Sequence, residues 1–274
     1  MTTLAGDVAG ARTRSPQPIS PARLSDALRS EWTKLTSLRS TFFTLLTTVL
    51  LVVGVGTLIS YESSVHHQVA NGPYDPTQMS LAALTIGQLA MAVLGVLVMT
   101  SEYATGMIRT SLAAVPRRRR LLAAKAIVFG LVAVVTGEIV SFLAFFLGQA
   151  VISGHQPTAS LSDPGVARAV VGAGLYLALV GLMALAFGTI LRHTAGAIVT
   201  VVAILFVLPG VVQALPTSWR NPVEKYWPTQ AGSQIFRVGS AAHVLSPWAG
   251  FADLVIFVII LGAIATALLQ RRDA

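Results

Sequence analysis

Six uninterrupted apolar runs constrain this chain more than any other feature. They occupy roughly residues 41–60, 80–100, 126–152, 167–191, 194–212 and 250–269. A helix rising 1.5 Å per residue needs about 20 apolar residues to cross about 30 Å of hydrocarbon. In that solvent the backbone must satisfy its own polar groups, which a continuous run does as a helix. The runs therefore predict an all-α polytopic membrane protein with six transmembrane helices. The charged fraction agrees: 11% of the 274 residues are charged, against roughly 25% in soluble domains. The chain has no cysteine, which excludes disulfides, thiolate metal sites and a cysteine nucleophile.

The basic residues sit at the ends of the apolar runs, so the net charge of +8 reads as topology and not as a nucleic-acid surface. Six lie before the first run, six after the second, one after the fourth and two after the sixth, fifteen on one side. Arg168, Arg220, Lys225 and Arg237 are the four on the other. The positive-inside rule then places both termini in the cytoplasm of a multi-pass protein of the plasma membrane. Residues 1–20 are polar, aperiodic and expected to be disordered. Ser20-Pro21 supplies an N-cap followed by proline. From there Leu24, Leu28, Trp32, Leu35 and Phe42 form the apolar stripe of an amphipathic interfacial helix over 21–40, suited to the membrane surface or a partner. Residues 213–249 form the largest external loop, in which the stretch after Trp227-Pro228 predicts a short helix on or dipping into the membrane.

Between the second and third runs lies S-E-Y-A-T-G-M-I-R-T-S-L-A-A-V-P-R-R-R-R-L-L-A-A-K, Ser101–Lys125. Glu102 and Arg109, seven residues apart, would lie on nearly one helical face, with Ala104, Ile108, Leu112 and Val115 as a separate apolar stripe. Pro116 disfavours further helix, and Arg117–Arg120 follows. The pattern predicts a short amphipathic cytoplasmic helix, a break and a basic cluster that either anchors the loop to anionic lipid or joins a docking surface.

No phosphate-binding loop is present, nor H-E-x-x-H or G-x-S-x-G, and the histidines are scattered over different loops. The chain is expected to be no enzyme and to bind no metal or cofactor itself. Glu138 is the one charge deep within a run; a mid-bilayer carboxylate should face protein or a water path. Gln88, Thr85 and Thr136 are its candidate partners. Gly174, Gly181 and Gly188 recur every seven residues, and Gly54 and Gly56 lie in the first run, allowing close helix approach within one protomer or between two.

Together these features resemble the membrane subunits of ATP-binding-cassette exporters, the ABC type 2 permease family, in its six-span actinobacterial form. R-S-E-W-T-K-L-T-S-L-R-S-T-F (Arg29–Phe42) looks like that family's amphipathic entry helix. Ser101–Lys125 looks like its first cytoplasmic loop, and Y-W-P-T-Q-A-G-S-Q-I (Tyr226–Ile235) like its last external loop. Arg117 departs from the pattern, standing where many relatives carry a small hydroxyl residue. The resemblance implies a permease that pairs with a second protomer, identical or different, amid membrane lipids. It is driven by a separate ATPase subunit carrying ATP-Mg and exports a drug, peptide or lipid-like substrate. Trp32, Lys34, Glu102, Gly106, Arg109, Pro116 and Arg118 are the implied ATPase-coupling residues. The alternatives are a proton-coupled carrier using Glu138, or a non-transporting scaffold or sensor subunit.

Overall fold

The computed structural model describes residues 23–37, 39–66, 74–115, 117–239 and 244–272, and for 39–41 the backbone alone. The tail 1–20, the Ser20-Pro21 helix start, His67, Pro116 and His243 lie outside the described residues. Among the described residues the secondary structure is helical, without strand. Six helical segments are long and apolar enough to cross a membrane.

α1 (Leu24–Ser37) precedes α2 (Arg39–His66), the first span. The side chain of Asp26 accepts from the Arg23 N–H at 2.9 Å, the reach-back half of a capping box that starts α1. The second span combines α3 (Pro76–Leu81) with α4 (Leu84–Ala104). Asp75 caps α3 by accepting from the N–H groups of Thr77 and Gln78, with proline at the first turn. α5 (Met107–Ala114) follows, then α6 (Arg118–Ile152) and α7 (Val166–Leu191). The fifth span joins α8 (Thr194–Val202), a π-turn (Ala203–Val207) and α9 (Leu208–Gln213). α10 (Thr217–Tyr226), α11 (Pro228–Ser233) and a 3-10 turn (Gln234–Phe236) lead to α12 (Pro247–Arg271), the sixth span.

The segment 101–125 holds the last turn of α4, all of α5, which is the short helix expected there, and the first two turns of α6. At 35 residues α6 is about 52 Å long by the helical rise, well beyond the hydrocarbon thickness, so its basic first turns project past the membrane as helix. Within 213–239, α10 comes first, and the short helix expected after Trp227-Pro228 is α11.

The bundle is built around α7. Its most apolar stretch is 72% buried, against 17% for α2 and for the fifth span, whose remaining surface faces outward. α7 packs between α4 and α6, and the spaced glycines make this possible inside one protomer. A methyl group on Gly137 of α6 would fall 2.5 Å from the Gly174 carbonyl oxygen, and one on Gly188 would fall 3.0 Å from that of Val96. Gly95 of α4 meets the Gly181 backbone closely enough that no side chain fits between them. Without a hydrophobic drive between helices in lipid, such close backbone approach is what holds spans together.

Polar staples fix one end. At the end bearing α3, the Gln149 side-chain amide donates to Pro76 O (3.0 Å) and Ser80 Oγ (2.9 Å) while its oxygen accepts from the Ala159 N–H (2.8 Å). Arg168 Nη1 donates to Ile235 O at 2.6 Å, tying the start of α7 to the 3-10 turn.

The candidate coupling site

α1 turns its Ala27–Glu31–Lys34 face toward α6, positions three and four apart that stack on one side of a helix. Leu28 and Leu35 lean against the core, whereas Leu24 and Trp32 remain exposed. The buried face thus carries two opposite charges, and they join two more from elsewhere in the chain.

Lys34 Nζ donates to Glu31 Oε1 (2.8 Å), Glu102 Oε1 (2.9 Å) and Ser111 Oγ (3.1 Å). Lys125 Nζ donates to Glu31 Oε2 (2.7 Å) and Glu102 Oε1 (2.9 Å). Glu31, Glu102 and Lys125 are buried and Lys34 half-buried. Two ammonium groups and two carboxylates therefore form a closed, charge-neutral cluster linking α1, the end of α4, α5 and the start of α6. Burial alone would depress the Lys34 pKa, but its hydrogen bonds to Glu31 and Glu102 and their negative charge outweigh burial and raise it. Desolvated charges of this kind are tolerated when paired and hydrogen-bonded, and removing one strands the others.

Of the coupling residues singled out from the sequence, all but Pro116 are among the described residues. Lys34 and Glu102 meet in the cluster. Gly106 takes a left-handed conformation (φ 72°) between α4 and α5, and a Cβ there would have nothing within 4 Å, so glycine serves the backbone turn. That turn separates Glu102 from Arg109: they do not share a face of one helix, because the helix ends between them. Arg109 is exposed on α5, without an ion pair among the described residues. Trp32 is exposed on α1.

Arg118 is directed elsewhere. Its Nη1 donates to Leu269 O (2.8 Å) and Arg272 O (2.7 Å), meeting carbonyls that the end of α12 leaves unpaired. Arg119 reaches Gln270 Oε1 at 3.2 Å, and Arg272 donates to Ile190 O at 3.0 Å near the end of α7. Arg192 stacks over the Tyr103 ring at 5.3 Å. The basic run thereby ties together the helix ends on this side of the bundle.

Glu138 lies along the Gly174 backbone, and its Oε1 is buried without a hydrogen-bond partner among the described residues. Gln88 is not its partner: the Gln88 oxygen accepts from Tyr176 Oη at 2.8 Å. Glu31, Lys125 and Ser111 were not singled out from the sequence. The trace available was the Glu31–Lys34 spacing and a lysine falling near an apolar run.

The site thus sits at one end of a bundle of six helices long and apolar enough to cross a membrane. Residues 27–210 match the family described as ABC-2 family transporter protein, and the chain belongs to that family. It is thus the membrane-embedded permease type of subunit, for which the family implies an ATP-binding partner in general. Comparison with curated proteins finds no match for the chain.

Proposed function

We propose that this chain is the permease subunit of an ATP-binding-cassette exporter, driven by a separate ATPase that docks on α1 and α5. The observation that carries the reading is the four-charge cluster. It makes α1 and α5 rigid extensions of α4 and α6, so a push on the exposed surface near Trp32, Met107 and Arg109 moves two spans at once. Those spans pack on α7, whose seam of glycine contacts is a set of discrete packings of the kind that switch between states. In this reading both termini and the cluster face the cytoplasm of the plasma membrane, as the basic residues indicate. A second permease protomer covers part of the outward apolar surface, and ATP-Mg sits on the partner. ATP binding at the ATPase supplies the differential affinity that shifts the bundle between conformations.

The test is affinity purification of the tagged chain from its native membrane in mild detergent. Recovery of a protein with a phosphate-binding loop supports the reading. Recovery of the chain alone contradicts it and favours a carrier in which the half-buried Glu138 moves protons.

A further inference from the structure

The fifth span is broken at one place, and a cavity lies beside the break. In the π-turn the Leu208 N–H donates to Ala203 O, so it no longer serves Ile204 O. The next donor along the chain would be residue 209, a proline with no N–H. The Ile204 carbonyl is instead satisfied from outside the span: Trp227 Nε1 donates to it at 3.2 Å. Irregular backbone within a membrane is tolerated where it is covered by protein or lines a cavity, and π-turns concentrate at functional sites.

Here it lines a cavity of about 330 Å³, bounded by α4, α7, the fifth span and α11 with its 3-10 turn. Tyr176, on its wall, lies ten residues into α7, about 15 Å along the axis, so the cavity reaches well into the bundle. Leu84, Leu205 and Phe206 give apolar walls, and Phe236 meets Tyr176 edge-on at 5.2 Å. The polar groups are almost all uncharged. Gln88 accepts from Tyr176 through its oxygen, leaving its amide N–H groups without a partner among the described residues. Thr229 is 3% exposed, and its buried hydroxyl has no hydrogen-bond partner among the described residues. Gln230 and Ser233 add an amide and a hydroxyl, and among the described residues Arg237 is the only charged one lining it, itself exposed.

The buried Thr229 hydroxyl left without a partner costs free energy, and the Gln88 amide, which lines the cavity, offers donors to whatever occupies it. We propose that this cavity is a binding site for an uncharged group with several hydrogen-bonding amides or hydroxyls, about the size of one sugar or one dipeptide. Apolar and aromatic walls with a few convergent neutral donors and acceptors suit such a group. A buried ammonium or carboxylate would find no counter-charge beside Gln88 and Thr229. The Trp227–Ile204 bond pins α11 over the site, which makes α11 its cover. As a substrate site this deepens the transport reading and rests on it. Binding itself does not depend on the ATPase, so the two fail separately.

The experiment uses the full chain in lipid nanodiscs, without ATPase, titrated calorimetrically against empty nanodiscs. The probes are octyl β-glucoside, N-octanoyl-glycyl-glycinamide and, for comparison, the free acid of the latter. Saturable binding of one neutral probe is expected; the glucoside alone identifies a polyol site and the amide alone a peptide-like one. Gln88→Leu and Thr229→Val should each weaken binding roughly fivefold or more, with Thr229→Ser restoring it. Absence of neutral-probe binding, or affinity unchanged in both variants with native melting, overturns the proposal. Binding of the free acid only, lost with Arg237→Ala, also overturns it.

Discussion

Lys125 Nζ and Glu31 Oε2 lie 2.7 Å apart, both side chains 3% exposed, although 94 residues separate them in the chain. This contact fixes an amphipathic surface helix to the long third span. It also explains why α1 and α6 are neighbours where an apolar contact alone would let α1 slide. Its consequence for stability is large because neither charge has water to fall back on.

Lys125→Met should therefore destabilise the protein by about 3–5 kcal/mol, the usual cost of stranding a buried partner. Adding Glu31→Gln should recover part of the loss by removing the uncompensated carboxylate. Thermal unfolding of both variants in detergent checks this; equal melting of Lys125→Met and the unaltered chain would refute the cluster.

Lys34 gives a pH signature. Its folded pKa is raised above the ordinary 10.5, so its stabilising contribution is fully present below about pH 10.5 and disappears as pH climbs through the folded value. The melting-temperature gap between the unaltered chain and Lys34→Met should be flat from pH 7 to 9 and narrow above 10.5. A gap that closes below pH 9 would contradict the hydrogen-bonding assigned to Lys34.

The glycine seam separates two classes of substitution. Gly137→Ala places a methyl 2.5 Å from the Gly174 carbonyl oxygen, which cannot yield without parting α6 from α7. A loss of about 1–3 kcal/mol is expected. Gly54→Ala meets nothing within 4 Å and should be neutral or stabilising by up to about 1 kcal/mol. Unfolding of the two variants side by side is the check.

Gly106→Ala should cost about 1 kcal/mol through its left-handed backbone alone, since the site has open space. Gly106→Asn should cost less, because asparagine tolerates that conformation. Equal losses for both would point to a contact at Gly106, and thermal melts of the two variants distinguish the cases.

Much of this fold was legible because hydrocarbon thickness leaves little choice: an apolar run of twenty residues must be a helix. What periodicity could not give was rotation and pairing. The stripe through Leu24 and Trp32 marks a face for the membrane surface or a partner, and both residues are exposed; it does not announce that Glu31 is buried, because a charge with two cationic partners can be covered where a lone one cannot. Seven-residue spacing put Glu102 beside Arg109 only under a continuous helix, and Gly106 ends it. The pairing of Glu102 with Lys34 and Lys125 depends on three helices meeting, and no local signal encodes that.

The most direct test of the coupling account uses Arg109→Glu and Trp32→Glu, both exposed and outside the cluster, with affinity purification and melting measured on the same preparations. The account predicts that each variant melts like the unaltered chain and recovers at least tenfold less of the phosphate-loop ATPase, a loss of about 1.4 kcal/mol or more in binding. Full ATPase recovery by both variants, with native melting, would contradict docking on α1 and α5.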